Sequence, residues 1–274
     1  MARERRLPPL LTPEVARRIL EGREKVSMDL GEDHALLPEG ITVSLRDLRD
    51  VAERRNAVFF PEGGALYQVA VSNGHFYKLV PTEGAPTLEV DGVRMHRTKG
   101  TTPEADAREK AEALGIKGGR LLDTCTGLGY AAQAALERGA DLVVSVELRP
   151  EVLRIAELNP WSRMIFEDGR IHLLLGDIFD LIDALPRAFF DYVVHDPPRL
   201  AHAGHLYGEE FYGKMLRALR RGGRLFHYTG KPGSRYRRID IRRGVMRRLG
   251  AAGFENITYH RGVRGVTCKK PGRP

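Results

Sequence analysis

Residues 189–200, FFDYVVHDPPRL, place an acid, two prolines and an arginine directly after an apolar run. Tyr192–His195 reads as a buried strand, and Pro197 and Pro198, which have no backbone N–H to give a ladder, stop it at Asp196. A carboxylate and a proline carbonyl held rigidly there could accept both hydrogens of an amine and direct its lone pair at a methyl group. That is catalysis by positioning, with no need of a metal or a covalent cysteine. Three further acids follow the same pattern. Asp123 precedes TCTGLG, in which Gly127 and Gly129 permit tight turning and close approach of backbone to a ligand at the start of a helix. Glu147, twenty residues after Gly127, has the chemistry to hold two ribose hydroxyls, and Asp177, after Gly176, to accept from an adenine amino group. Any one of these acids alone reads equally well as a cap or loop residue.

These residues need a frame that brings them together. From Arg120 onward, short apolar runs alternate with helical stretches: strand RLLDT, helix from Tyr130, strand LVVSVE, helix from Pro150, strand IHLLL, helix IFDLIDAL, strand DYVVH. A helix at GEEFYGKMLRAL, a strand at GRLFHYT, a helix at IDIRRGVMRRLG and the runs ENITYH and VRGVTC complete the series. Such alternation predicts an α/β fold, a doubly wound, mostly parallel sheet whose ligands lie beyond the carboxyl ends of the strands. Residues 1–98 read instead as a small β-rich N-terminal domain with a possible role in substrate recognition. It opens with a short helix capped by Thr12 with Pro13 at its first position, followed by the runs KVSMDLG, ALYQVAVSNGHFYKLV and LEVDGVRM, with a hairpin turn at Asn73-Gly74. Residues 99–274 then form the second domain, entered through a helix starting near Thr102 and Pro103.

Charge is distributed unevenly. Of a formal net charge of +8, residues 214–274 carry +16 and the remainder −8, so the last third is predicted to follow the phosphates of an RNA partner, with Tyr236 among arginines for stacking. A solvated basic face is the plainer alternative. The scarcity of Asn and Gln, four and two residues, and the 29% of charged residues fit a protein from a hot environment. No run approaches the ~20 apolar residues of a membrane span, and the N-terminus lacks a secretory pattern, which predicts a cytoplasmic location. Cys125 and Cys268 are too few for a four-cysteine zinc site.

Gly127-x-Gly129-x-x-Ala132 also satisfies a dinucleotide fingerprint, but Asp123 would repel a pyrophosphate and suits an ammonium group. Together with Gly176-Asp177 it describes a sulfonium nucleoside bearing an amino acid. On these residues the sequence resembles the class I methyltransferases over about residues 100–270, with DTCTGLG standing for their glycine loop. The resemblance implies a Rossmann-like seven-stranded sheet and S-adenosyl-L-methionine as cofactor, held by Asp123, Thr124, Cys125, Gly127, Gly129, Glu147, Asp177 and Ile178. It makes Asp196, Pro197, Pro198 and Arg199 the catalytic loop of an amino-methyltransferase. Two departures stand out: Cys125 occupies a usual glycine position, and Arg199 replaces the aromatic that normally stacks on the target base, a role that could pass to Tyr207, Tyr212 or Tyr228. HDPPR with FHYTGKPG and the upstream MHRTKGTTP looks like an archaeal family associated with N4-methylation of cytidine in ribosomal RNA. That resemblance implies substrate contacts at His96, Arg97, Thr98, Tyr207 and Tyr228. Two rivals remain. One is an aminopropyltransferase resembling spermidine synthase, which would need an acidic groove that the +16 segment and Arg199 weigh against. The other is an RNA-binding assembly factor that holds the cofactor without using it.

Overall fold

The computed structural model describes residues 8–22, 43–198, 203–230 and 241–272. The chain divides into two compact units, Met1–Glu104 with Pro150–Phe166, and Ala105–Arg149 with Glu167–Pro274.

In the first unit, α1 (Pro13–Leu20) begins where the Thr12 hydroxyl accepts the Val15 N–H at 3.2 Å. α2 (Leu45–Glu53) starts in the same way, with Ser44 accepting the Asp47 N–H at 3.0 Å. Leu11, Ala16, Leu48 and Val51 bury the facing sides of the two helices. β1 (Phe59–Glu62) pairs antiparallel with β2 (Ala65–Gln68), and β3 (Ala70–Asn73), β4 (His75–Val80), β5 (Thr87–Val90) and β6 (Val93–Arg94) form an antiparallel meander. The hairpin at Asn73-Gly74 is as predicted. KVSMDLG lies outside the described residues, as do Arg199 and Tyr236.

The second unit is built on α3 (Pro103–Leu114), β7 (Arg120–Asp123), α4 (Tyr130–Glu137) and β8 (Leu142–Glu147). The chain then makes α5 (Pro150–Glu157), a 3-10 turn and α6 (Met164–Glu167), a stretch that groups with the first unit. The Asn73 amide of β3 donates to the buried Glu151 of α5 at 2.6 Å, a link across 78 residues of sequence. Back in the second unit come β9 (Ile171–Leu175), α7 (Ile178–Leu181), β10 (Phe190–His195), α8 (Glu209–Ala218), β11 (Leu219–Tyr228), α9 (Ile241–Ala251), β12 (Glu255–His260) and β13 (Gly265–Lys269).

The large sheet has the order β12-β13-β11-β10-β7-β8-β9. Its five strands from β11 to β9 are parallel, whereas β13 runs antiparallel to both β11 and β12. This is the mixed α/β architecture, with a large and mostly parallel sheet, that the alternation predicts. Leu122, Val193, Phe190, Phe211, Met215, Leu225 and Val266 belong to the core that holds sheet and helices together. From β7 the chain goes to β8 and β9 on one side, then returns to β10 on the other, so the strand order reverses between β7 and β10. Loops leave such a switch point in opposite directions and open a crevice at the carboxyl ends. Asp123 ends β7, and Asp196 follows the last residue of β10.

Candidate active site

Asp123, on the central strand, is fully buried. Its carboxylate accepts from the Ser145 hydroxyl at 2.7 Å and from the Cys125 N–H at 3.4 Å, bracing the start of the glycine loop against β8. Burial, only partly offset by these bonds, lifts its pKa to about 7. Gly127 and Gly129 both have positive φ, 54° and 81°, and Gly129 leads directly into α4. Glu147 closes this loop from the neighbouring strand: one carboxylate oxygen accepts the Gly127 N–H and the other the Arg149 N–H, each at 2.9 Å. Burial also raises the Glu147 pKa, against the pull of those amides.

Asp177 caps α7, accepting the Phe179 N–H at 2.8 Å, and lies 3.8 Å from His205. Ile178, expected at the cofactor, turns its side chain into the core. Thr124 is buried, and Cys125 is half-buried with its thiol pushed well above its usual pKa, chiefly by burial and then by Glu147 and Asp123. A thiol so held is no nucleophile.

After β10, Pro197 is buried and Pro198 exposed, while Asp196 is half-buried. A clasp under this loop comes from His195. Burial lowers its pKa to about 3, so the ring is neutral; because the Leu206 carbonyl can only accept, Nε2 carries the proton and donates to it at 3.0 Å. Nδ1 then accepts the Thr124 hydroxyl at 2.7 Å, joining the glycine loop to the segment that follows Asp196. The Tyr207 hydroxyl donates to the Pro198 carbonyl at 3.0 Å. Tyr207 is thereby a buried brace of the loop, and Tyr212 is a core residue whose hydroxyl meets His227 at 2.8 Å.

Lys110, in the middle of α3, was not anticipated from sequence. Its ammonium lies 2.5 Å from Asp196 and 2.7 Å from Asp106, one turn back on its own helix, with the Tyr228 ring centroid at 4.6 Å. Burial works to lower its pKa, but the two carboxylates outweigh it and hold the proton firmly. The only sequence signal was the Asp106/Lys110 spacing of four, which on an exposed helix marks an ordinary surface pair. Tyr228 is thus placed against the ammonium that pairs with Asp196. His96, Arg97 and Thr98 lie in the first unit, where His96 Nδ1 meets the Thr87 hydroxyl at 3.0 Å and Thr98 accepts from Arg94 at 3.4 Å.

Much of the basic C-terminal third has local work. Arg220 pairs with Asp191, Lys214 and Arg217 with Asp183, and Lys269 with Glu255. Arg248 donates to the Tyr207 carbonyl and Lys270 to that of Leu219.

No protein-family model matches the chain. An uncharacterized protein of Methanocaldococcus jannaschii, MJ1233, is 45% identical over 252 residues, 92% of this chain and 86% of that protein. Polyamine aminopropyltransferase 2 of Streptomyces coelicolor is 32% identical over 159 residues, 56% of this chain; the match spans only 28% of the longer Streptomyces protein. Among solved structures, a spermidine synthase in complex with the transition-state analogue AdoDATO superposes with a TM-score of 0.59 at 16% identity, covering 77% of this chain and 78% of that one. The spermidine synthase of Thermotoga maritima gives 0.56 at 16% identity over 76% and 75%.

These findings correct the expectation of an enzyme methylating cytidine N4 in ribosomal RNA with S-adenosyl-L-methionine as methyl donor. The Streptomyces coelicolor relative is a polyamine aminopropyltransferase, and the two solved structures named above are spermidine synthases. The weight given to the +16 segment was misplaced, because charge summed along the chain is not charge at the site. The strand ends carry acids, and Lys214, Arg217, Arg220, Arg248, Lys269 and Lys270 are engaged by ion pairs and carbonyls elsewhere. The two solved neighbours are alike in fold; the identity and coverage shared with the Methanocaldococcus jannaschii protein go further, and the chain belongs to the same family as that protein.

Proposed function

We propose that this chain is an aminopropyltransferase of the spermidine-synthase type, moving the aminopropyl group of decarboxylated S-adenosylmethionine to an amine. The observation that carries this reading is the 32% identity to a polyamine aminopropyltransferase across 159 residues. The acids at the carboxyl ends of the strands support it, because both donor and acceptor are cations. In this reading the acceptor nitrogen attacks the propyl carbon next to sulfur. The carbon–sulfur bond breaks, its electron pair stays on sulfur to leave neutral methylthioadenosine, and the new ammonium sheds a proton. Glu147 holds the ribose hydroxyls, Asp177 the adenine amino group, and Asp196 with the Pro197 carbonyl orients the attacking amine. The group transferred differs from a methyl, but the demand on the loop after β10 is the same: a fixed acceptor for amine hydrogens.

The test is to incubate the purified chain with decarboxylated S-adenosylmethionine and a panel of mono-, di- and triamines, and to follow methylthioadenosine release together with the aminopropylated product by mass spectrometry. Release that depends on an amine is expected. Donor binding without release in the presence of any amine would overturn the proposal.

A further inference from the structure

Lys110 makes the contacts that an acceptor ammonium would make. Its Nζ is held by two carboxylates, at 2.5 Å from Asp196 and 2.7 Å from Asp106, with the face of Tyr228 at 4.6 Å supplying a cation–π contact. Two acids and an aromatic face form a cage for a primary alkylammonium. The side chains differ in access: Asp106 is 3% exposed and Lys110 10%, but Asp196 is 29% exposed. The cage is therefore closed on the α3 side and reachable at Asp196.

Building on the aminopropyl-transfer reading, we infer that Lys110 is a specificity-determining residue, a resident ammonium that fills the alkylammonium subsite of Asp106, Asp196 and Tyr228. A diamine carries two amines at neutral pH: one must be neutral to attack, while the other stays charged and seeks a carboxylate. With Lys110 in the cage, that second position is taken, and an acceptor is recognised through one amine end at Asp196. The chain accepts monoamines and diamines of equal length with little discrimination. Shortening Lys110 to alanine removes the resident ammonium, and the charged end of a diamine takes the place of Nζ with its chain running toward the exposed side at Asp196.

Two measurements on the full chain test this. Wild type is expected to use 1-aminobutane and 1,4-diaminobutane with kcat/KM values within about tenfold of each other, and Lys110→Ala to shift that ratio toward the diamine by at least about tenfold. Independently of turnover, millimolar 1-aminobutane should raise the melting temperature of Lys110→Ala and leave that of wild type unchanged, since only the variant has a vacant cage. If loss of the Lys110 ammonium prevents folding, Asp106→Asn combined with Lys110→Ala removes one of the acids it pairs with and serves for both measurements. An unchanged acceptor ratio, or variants that melt without regard to the amine, would overturn the inference. Wild type that transfers to neither amine, alongside a variant stabilised by 1-aminobutane, would sink the aminopropyl-transfer reading and leave the cage standing.

Discussion

Glu147 and Asp123 do opposite things with similar surroundings. Both are buried acids beside the glycine loop, but Glu147 accepts the backbone N–H groups of Gly127 and Arg149 at short range, whereas Asp123 accepts one short hydroxyl bond and one long amide bond. Replacing Glu147 by Gln turns one acceptor into an N–H₂ facing a backbone N–H, a repulsive pair costing about 1–3 kcal/mol. Donor affinity measured by titration calorimetry should fall at least tenfold; an unaltered affinity would detach Glu147 from the ribose. For Asp123 the consequence is in pH. Its folded pKa, raised by burial from 3.8 to about 7, means that the folded chain binds this proton more tightly than the unfolded chain. The protonated acid stabilises the fold at low pH, and that stability is lost as pH rises from about 4 to about 7. The difference in unfolding free energy between wild type and Asp123→Asn, from urea titrations, should fall across that window by up to about 1.4 kcal/mol per pH unit. A difference independent of pH would mean that Asp123 is ionised throughout. At Asp196 the expected outcome of Asp196→Asn is loss of aminopropyl transfer with donor affinity kept within about threefold, because the proposed function assigns the donor to the loop after β7 and to Glu147. Turnover near wild type would remove Asp196 from the chemistry.

Among the elements, those that bear the site were the most legible. Each strand from β7 to β13 was anticipated, the parallel ones because strands packed within such a sheet read as short apolar runs. Their ends were marked by Asp123, Glu147, Gly176-Asp177 and Asp196-Pro197-Pro198. What local pattern could not reveal was α2, whose LRDLRDVAE is mostly charged and is fixed as a helix by the Ser44 cap and by Leu48 and Val51 packing against Leu11 and Ala16. IFDLIDAL reads as a helix of eight residues, but α7 ends at Leu181. β11 extends back to Leu219 through Arg220-Arg221-Gly222-Gly223, a stretch that looks like a turn and becomes strand by alignment beside β10 and β13. Close approach between β13 and β11 rests on Gly265. A methyl group built there would run into the Phe226 ring and the His227 carbonyl, both in the buried face of β11. Gly265→Ala should lower stability by about 1–3 kcal/mol, measured by chemical denaturation. A smaller change would mean that Phe226 can swing aside. Since His227 meets His195 edge to face at 4.5 Å between ring centroids, the same variant should also disturb the clasp beneath Asp196.

At the scale of the whole molecule, the sequence reading went astray where distant segments combine. Lys110 had no motif of its own, and the +16 segment was weighed as a surface although Asp183, Asp191 and Glu255 meet part of it. Residues 150–166 follow β8 and precede β9, so contiguity assigns them to the sheet, yet they group with the N-terminal unit, and the Asn73–Glu151 bond illustrates why. Sequence proximity is a weak guide to which core a helix joins, because burial of Glu151, Val152, Ile155 and Ala156 decides it. This partition has a kinetic signature. Amides exchange with solvent through local and sub-global openings that follow cooperative units, and a unit with a smaller core opens more often. Leu11, Ala16, Leu48 and Val51 form one small cluster in the first unit, against the twenty-residue buried cluster that spans β7, β8, β10, α8, β11 and α9 in the second. In hydrogen exchange followed by mass spectrometry, peptides from α1 and α2 should therefore exchange well before those from β7, β10 and β11. The decisive peptide is the one covering α5. It should exchange at the pace of β3 and β4, and in Asn73→Ala both it and β3 should speed up together while β8 and β9 stay protected. If α5 instead exchanges in step with β8 and β9, it opens as part of the sheet unit, and its bond to Asn73 is incidental.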